Sequence, residues 1–389
     1  MNVDDATGGL PRAVTELWQA DQRILTLHLD LTYRCDLDCV HCYLDNRTTW
    51  PEMTTAEWLS VLDQARDMGA LMLVWSGGEV TARADFAALL AHASQLGFFS
   101  RVKTHGGNLD PAWVEGFAQS RVGQVDISIY SLRPAVHDAF TRVAGSLGRS
   151  IDAIRLLRAA GIRVRVNCFL QPGTIGEIAE IHDFFAELGA ATEFHTRLRR
   201  DNAATTARDF LELSFADTVR ADRAIQALSR AGLPAPISAR ADPNPCNAGR
   251  TYGYVSPDGE VWPCVVFPMA LGNLREQSLA DIWRGSAARQ ALVAWDNRQR
   301  ATCNSCAGSG LCFYCPGDAY KHTGDFRNAP AHFHAGTRAR MIAWEEGNGP
   351  TFDAAAWASV PGSGGRGPAV TRFVFPIHRA RRSAGARVG

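Results

Sequence analysis

Between Thr32 and Tyr43 the chain reads TYRCDLDCVHCY, which sets Cys35, Cys39 and Cys42 in a C-x3-C-x2-C array. Three thiolates in so short a span can wrap one corner of a soft metal centre, yet they leave a tetrahedral site or a cubane one ligand short. A structural zinc site normally closes with four protein ligands, so the spacing favours an iron-sulfur cluster with one open iron over a structural knot. Upstream, Ile24 to Leu31 (ILTLHLDL) alternates apolar and polar residues as a strand does. The cysteines therefore sit on a loop at a strand's carboxyl end, where barrel folds carry their catalysis. The plainer alternative is a zinc loop or a chance grouping.

Composition narrows the setting. The 389 residues are 46% hydrophobic and 21% charged, as in a soluble globular protein of two or so domains. Forty basic and forty acidic residues cancel, so no global field points to nucleic acid or an anionic membrane. No apolar run is long enough to span a bilayer. The opening MNVDDATGGLPRAV is acidic and polar where a secretory signal would be basic and then apolar. A reducing cytoplasm is the expected location. Ten cysteines, nine of them in two groups rich in C-x2-C pairs, favour metal ligation over disulfides. Cys168, alone in VRVNCFL, reads as a small buried apolar side chain.

From about residue 22 to 200 strand-like and helix-like segments alternate, as in a parallel α/β barrel or open sheet. Strands are expected at LTLHLDL, LMLVW (71–75), SRVKT, QVDISIY, VRVNCFL and TEFHT. Helices are expected over 84–97, 110–119, 147–160 and 175–188, with another starting near Thr54 or Thr55, where a hydroxyl cap precedes an acidic first turn. Six units are too few for an eight-stranded barrel and fit a partial (β/α)6 barrel. After the second strand come Gly77, Gly78 and Glu79. Paired glycines let backbone approach a ligand closely, and the carboxylate can accept from an ammonium group. Alone, such a triplet is only a turn beside a solvated acid.

Together these residues resemble the radical S-adenosylmethionine (radical SAM) enzymes. The resemblance implies that Cys35, Cys39 and Cys42 ligate a 4Fe-4S cluster whose free iron is chelated by the methionine part of SAM. It implies that His41, in a slot usually aromatic, lies near the adenine, and that Gly77, Gly78 and Glu79 hold the SAM amino group. Ser128 and Arg142 are implied to hold its ribose or carboxylate, against the alternative that Arg142 is a surface charge. Gln171 to Thr174 is expected to offer backbone to the adenine. Glu193, His195 and Arg197 are expected at the same rim, where such residues are more often structural than substrate contacts.

A second cysteine field follows. Cys246 and Cys264 bracket a stretch whose Pro257-Asp258-Gly259 marks a tight turn between short strands, and Cys303, Cys306, Cys312 and Cys315 form C-x2-C-x5-C-x2-C. Those four could hold zinc by themselves. The pattern also resembles the SPASM extension of radical SAM enzymes, which binds two auxiliary 4Fe-4S clusters. The resemblance implies Cys246, Cys264 and Cys315 on one and Cys303, Cys306 and Cys312 on the other, each one cysteine short. Imidazole can replace thiolate on iron, so His334, or failing it His332, is expected as the substitute ligand, with Asp318 and His322 as weaker candidates. The cluster of Cys246 is left with an open iron, or one cluster is absent.

The expected architecture is therefore α/β: an N-terminal extension (1–21), a partial TIM-like (β/α)6 barrel (22–200), a bridging helix (201–239), a small cysteine-rich iron-sulfur domain (240–340), and a C-terminal helix with a flexible basic tail (341–389). By resemblance the chain cleaves SAM reductively to a 5′-deoxyadenosyl radical, takes its electron from a flavodoxin or ferredoxin, and oxidatively matures a ribosomally made peptide carrying a leader. The stretch before the first strand is shorter than a winged-helix domain, so a separate leader-binding protein or the barrel's own surface is expected to recognise that leader. One rival is a sulfatase maturase, against which Val265, where that family has an acid, counts. The other is a non-catalytic iron-sulfur or zinc scaffold, which has no need of a SAM grip.

Overall fold

The computed structural model describes residues 12–44, 51–197, 211–228, 246–296, 308, 311, 312, 314–327 and 330–348. The expected ligands Cys303 and Cys306 and the basic tail lie outside them. In chain order the structure has α1 (Arg12–Ala20), β1 (Thr26–Asp30), α2 (Thr55–Asp67), β2 (Met72–Ser76), α3 (Phe86–Gln95), β3 (Phe99–Thr104), α4 (Pro111–Gln119), β4 (Val122–Ser128), α5 (Pro134–Thr141) and α6 (Ser146–Ala159). There follow β5 (Arg163–Phe169), α7 (Ile178–Glu187), β6 (Ala191–His195), α8 (Phe215–Leu228), β7 (Tyr252–Val255), β8 (Glu260–Trp262), β9 (Gly272–Asn273), α9 (Leu279–Gly285), α10 (Ala287–Ala294), α11 (Pro316–Thr323) and α12 (Ala331–Asn348).

The described strands form one nine-stranded sheet in the order β6-β5-β4-β3-β2-β1-β7-β8-β9. β1 to β6 run parallel, in the partial barrel expected of six β/α units. Alternate side chains divide the two faces. Leu27, Leu29, Val102, Val125 and Val166 turn to the helices and join Trp58, Leu62 and Phe117 in the main core. Trp75 anchors this layer, edge-on to Phe86 and donating from Nε1 to Ser100 Oγ at 3.0 Å. The opposite face is polar: Arg101 pairs with Asp126, and Arg165 with Glu193.

Helix α2 begins where the hydroxyl cap is expected. The Thr54 side chain accepts from the Glu57 N–H, and the Glu57 carboxylate accepts from the Thr54 N–H at 2.6 Å, a reciprocal capping box. Helix α1 falls in the N-terminal stretch, where no helix is expected; it is tied down by Trp18, whose Nε1 donates to the Gly69 carbonyl at 2.8 Å. The bridging helix α8 packs against α7 and α12.

One pairing has no counterpart in the local pattern. The hairpin of the second cysteine field adds to the barrel sheet itself: β7 lies parallel to β1, with His28 opposite Tyr254, and β8 and β9 continue antiparallel. No described helix is long and apolar enough to cross a membrane.

Candidate active site at the barrel mouth

The loop bearing Cys35, Cys39 and Cys42 leaves β1 and is clasped by backbone. The Gly78 and Glu79 N–H groups donate to the carbonyls of Thr32 and Arg34 at 2.7 and 2.9 Å. The fit is close enough to require glycine: a Cβ on Gly78 would lie 2.3 Å from the Arg34 carbonyl oxygen, and one on Gly77, at φ +134°, 2.3 Å from that of Thr32. The far side of the loop is pinned to the end of α5, Asp38 and Val40 donating to the carbonyls of Thr141 and Phe140 at 3.2 and 2.9 Å. Glu52 fixes its start by accepting from Thr32 Oγ1 at 2.6 Å and the Tyr33 N–H at 3.1 Å. Arg275, from the turn after β9, in turn donates to the carbonyls of Pro51 and Glu52.

The expected cofactor contacts occupy distinct settings. His41 sits among aromatic rings from β5, α5 and the loop after β4, stacked on Phe169 at 5.5 Å and near Phe140 and Tyr130, each at 4.9 Å. These rings and Leu211 make a small apolar cluster against Cys39 and Val40. Burial pushes the Tyr130 phenol well above its usual range, and the neighbouring Cys39 and Cys42 add to the shift. Glu79 is buried and engaged by the protein: its carboxylate accepts from Thr104 Oγ1 at 2.8 Å, the His105 N–H at 3.1 Å and Thr81 Oγ1 at 2.8 Å. It thereby ties the ends of β2 and β3 together. Arg142 caps α5 in the left-handed conformation at φ 60° and pairs with Asp38 of the cysteine loop at 2.7 Å, both side chains more than half exposed. Ser128 ends β4 opposite Asn167. Glu193 pairs with Arg165, and Arg197 with Asp318.

Beside the loop lies a buried polar network absent from the expected site. Asp30, with a fully buried side chain, accepts from Tyr254 Oη at 2.9 Å and sits 3.2 Å from His28 Nε2. His28 Nδ1 is 2.7 Å from Tyr252 Oη, and Tyr33 Oη is 3.4 Å from Tyr254 Oη. Burial, with Asp30 beside it, holds the Tyr254 phenol protonated far above its usual range, and burial lowers His28 despite the Asp30 carboxylate. The sequence signal was modest: His28 and Asp30 interrupt an apolar strand, and their partners Tyr252 and Tyr254 each lie 224 residues further along the chain.

In the second field, burial pushes the Cys246 thiol up to about 12, and the nearby Cys315 and Cys264 contribute. The three cysteines expected on one auxiliary cluster are thus electrostatic neighbours. Gly317 makes this possible, since a Cβ there would lie 2.7 Å from the Val266 carbonyl oxygen, in the turn after Cys264. Cys315 caps α11, its sulfur accepting from the Asp318 N–H at 3.4 Å. Cys312 lies near Arg340 of α12, which donates to the Leu311 carbonyl at 2.7 Å. His332 is drawn to Asp318 at 3.1 Å, and His334 is half-buried two residues on. A clasped three-thiolate loop beside an aromatic pocket, and a second thiol group, fit soft iron-sulfur centres.

Comparisons with known proteins point the same way. Residues 29–185 match the family model of the radical SAM superfamily, and residues 246–307 that of SPASM, an iron-sulfur cluster-binding domain. The chain is similar to the PqqA peptide cyclase of Gluconobacter oxydans, 31% identical over 274 residues that cover 67% of this chain and 76% of the cyclase. It is also similar to the AdoMet-dependent heme synthase of Methanosarcina barkeri, 25% identical over 76% of this chain and 92% of the synthase. Among solved structures, Streptococcus suis SuiB bound to its precursor peptide SuiA shares the fold, with TM-score 0.65 and 20% identity over 81% of this chain and 78% of SuiB.

Proposed function

The chain belongs to the radical SAM superfamily and carries a SPASM iron-sulfur domain, and we propose that it oxidatively modifies a ribosomally made peptide. Its cofactors are 4Fe-4S clusters and SAM. We assign Cys35, Cys39 and Cys42 to the SAM cluster, Cys246, Cys264 and Cys315 to one auxiliary cluster, and Cys303, Cys306, Cys312 and His334 to the other. Bound there, the clusters and SAM supply a carbon-centred radical that takes hydrogen from an unactivated C–H bond, and an acceptor for the electron left behind.

The chain's own residues orient and shield. Gly77 and Gly78 keep the cysteine loop seated at the end of β2. His41, Tyr130, Phe140 and Phe169 form an apolar wall that keeps water from the loop's inner side. To SAM we assign the backbone of Gly77 and Gly78, the Glu79 carboxylate, which Thr104 and Thr81 also hold in place, the Ser128 hydroxyl, the exposed Arg142 guanidinium and the His41 ring. Asp30 accepts from the Tyr254 hydroxyl and lies beside His28, so these buried polar groups satisfy one another next to the loop.

The observation that carries this reading is the pairing of β1 with β7. One strand feeds the SAM-cluster loop, and its neighbour belongs to the hairpin between Cys246 and Cys264. A single sheet therefore brings the strand that feeds the first cysteine loop beside the hairpin flanked by Cys246 and Cys264, which favours an oxidation that returns its electron to a second centre. The resemblance to a peptide cyclase over 67% of this chain supports a peptide as substrate. A flavodoxin or ferredoxin reductant, a leader-binding partner protein and a cytoplasmic setting complete the proposal. The test is to incubate reduced, anaerobically reconstituted protein and SAM with short peptides encoded beside its gene. A peptide losing a pair of hydrogens in step with 5′-deoxyadenosine release is expected. Deoxyadenosine without any change in such peptides would point to a small-molecule substrate instead.

A further inference from the structure

Helices α11 and α12 bring a second donor set together, one that contains no cysteine. Asp318 and His322 are four residues apart on α11 and so share a helix face; His332 reaches them from the first turn of α12. One ligand atom from each lies within 4.8 Å of the others. His332 Nε2 is 3.1 Å from Asp318 Oδ2, His322 Nε2 is 3.7 Å from Oδ1, and the two imidazole rings are 4.5 Å apart. Asp318 and His322 are sunk, with side chains 15% and 18% exposed, while His332 at 38% forms the rim.

We propose that Asp318, His322 and His332 form a mononuclear site for a divalent transition metal of the zinc or iron(II) class, separate from the cysteine-held clusters. Two neutral imidazoles and one carboxylate are a donor set that both ions accept, with a position left for water. A tetrahedral ion with legs of about 2.1 Å needs donors about 3.4 Å apart. The observed spread of at most 4.8 Å is within reach of side-chain rotation. Arg197 supplies the outer support: it donates to Asp318 Oδ2 at 2.7 Å and lies over the Phe333 ring at 4.2 Å. It thus fixes the carboxylate while Oδ1 faces His322, as outer hydrogen bonds orient ligands in metal sites. Its positive charge weakens the site without removing a donor atom. The Asp318 N–H bond to Cys315 sulfur places the ion beside the auxiliary field. The metal would join α11, α12 and the end of β6, and it takes His332 away from the auxiliary cluster, leaving His334 as that cluster's imidazole.

The experiment uses the full-length, cluster-loaded protein supplied with zinc chloride and then desalted. Zinc, iron and sulfide are counted, and the zinc X-ray absorption edge is read for its ligand shell. One retained zinc per chain, with a nitrogen and oxygen shell showing imidazole scattering, is expected. His322→Ala and Asp318→Asn should each weaken zinc binding by at least tenfold with iron and sulfide unchanged. No retained zinc, or sulfur in its shell, overturns the proposal. So does iron falling along with zinc in His322→Ala, because that would make these residues cluster ligands. Should a variant fail to fold, the wild-type ligand shell alone decides between the outcomes.

Discussion

At Gly78 a single added methyl group meets backbone on the cysteine loop, 2.3 Å from one carbonyl oxygen and 2.8 Å from the next. Neither neighbour is a side chain that can swing away. Gly78→Ala should therefore cost about 1–3 kcal/mol and displace the loop. The check is iron per chain after anaerobic reconstitution, which should fall by one cluster while auxiliary iron stays. His137 offers a pH test. Buried under β4, its Nδ1 accepts from the Tyr130 N–H at 3.2 Å, and burial lowers its pKa to about 4, with nearby Asp138 opposing. A depressed histidine contributes fully above its unfolded pKa of about 6.5 and loses that contribution as pH falls toward 4, a span worth about 3 kcal/mol. Stability of the wild type should therefore drop between those pH values more steeply than that of His137→Asn, read by denaturant melts. The pairing of the two glycines was legible in the sequence, but their partner was not: close approach is to the loop's own backbone. Nor could spacing tell that Glu79 would also accept from Thr104 and His105, or that Arg142 would pair with Asp38, since those partners are set by how strand and helix ends meet.

The elements themselves were the most legible level. Strand and helix positions across the barrel follow the period of apolar residues, because each strand buries one face against helices and each helix one stripe against the sheet. The start of α2 was readable from Thr54 and Glu57 alone. Arg275 then reinforces it from far along the chain, bonding Glu57 at 2.9 Å and, with Thr54, holding the Glu57 carboxyl down at about 2. Thr54→Ala should lower stability by about 1 kcal/mol, seen as a modest drop in melting temperature with cluster content unchanged. Helix α1 escaped the reading although Val14, Leu17 and Trp18 fall at helical spacing, because the stretch is only nine residues long and its anchorage through Trp18 to Gly69 is tertiary.

For the whole molecule, the feature least visible in the sequence is the one that joins its halves. Nothing local in Tyr252–Val255 says that it will pair with β1 instead of closing a separate small domain. The pairing arises because β1 would otherwise present an open edge, and because Tyr252 and Tyr254 satisfy His28 and Asp30, which would be costly to bury alone. A chain ending before Cys246 should therefore lose its barrel edge and two buried hydrogen-bond partners, and elute as aggregate from a sizing column; a clean monomer would show that the barrel stands alone. The central claim is that the loop of Cys35, Cys39 and Cys42 holds an iron open to SAM. Its most direct measurement is 5′-deoxyadenosine release by the reduced, reconstituted protein, beside a variant in which those three cysteines are alanine. We expect release from the wild type, none from the variant, and auxiliary iron retained in both; a wild type that carries its iron yet releases no deoxyadenosine would contradict the account.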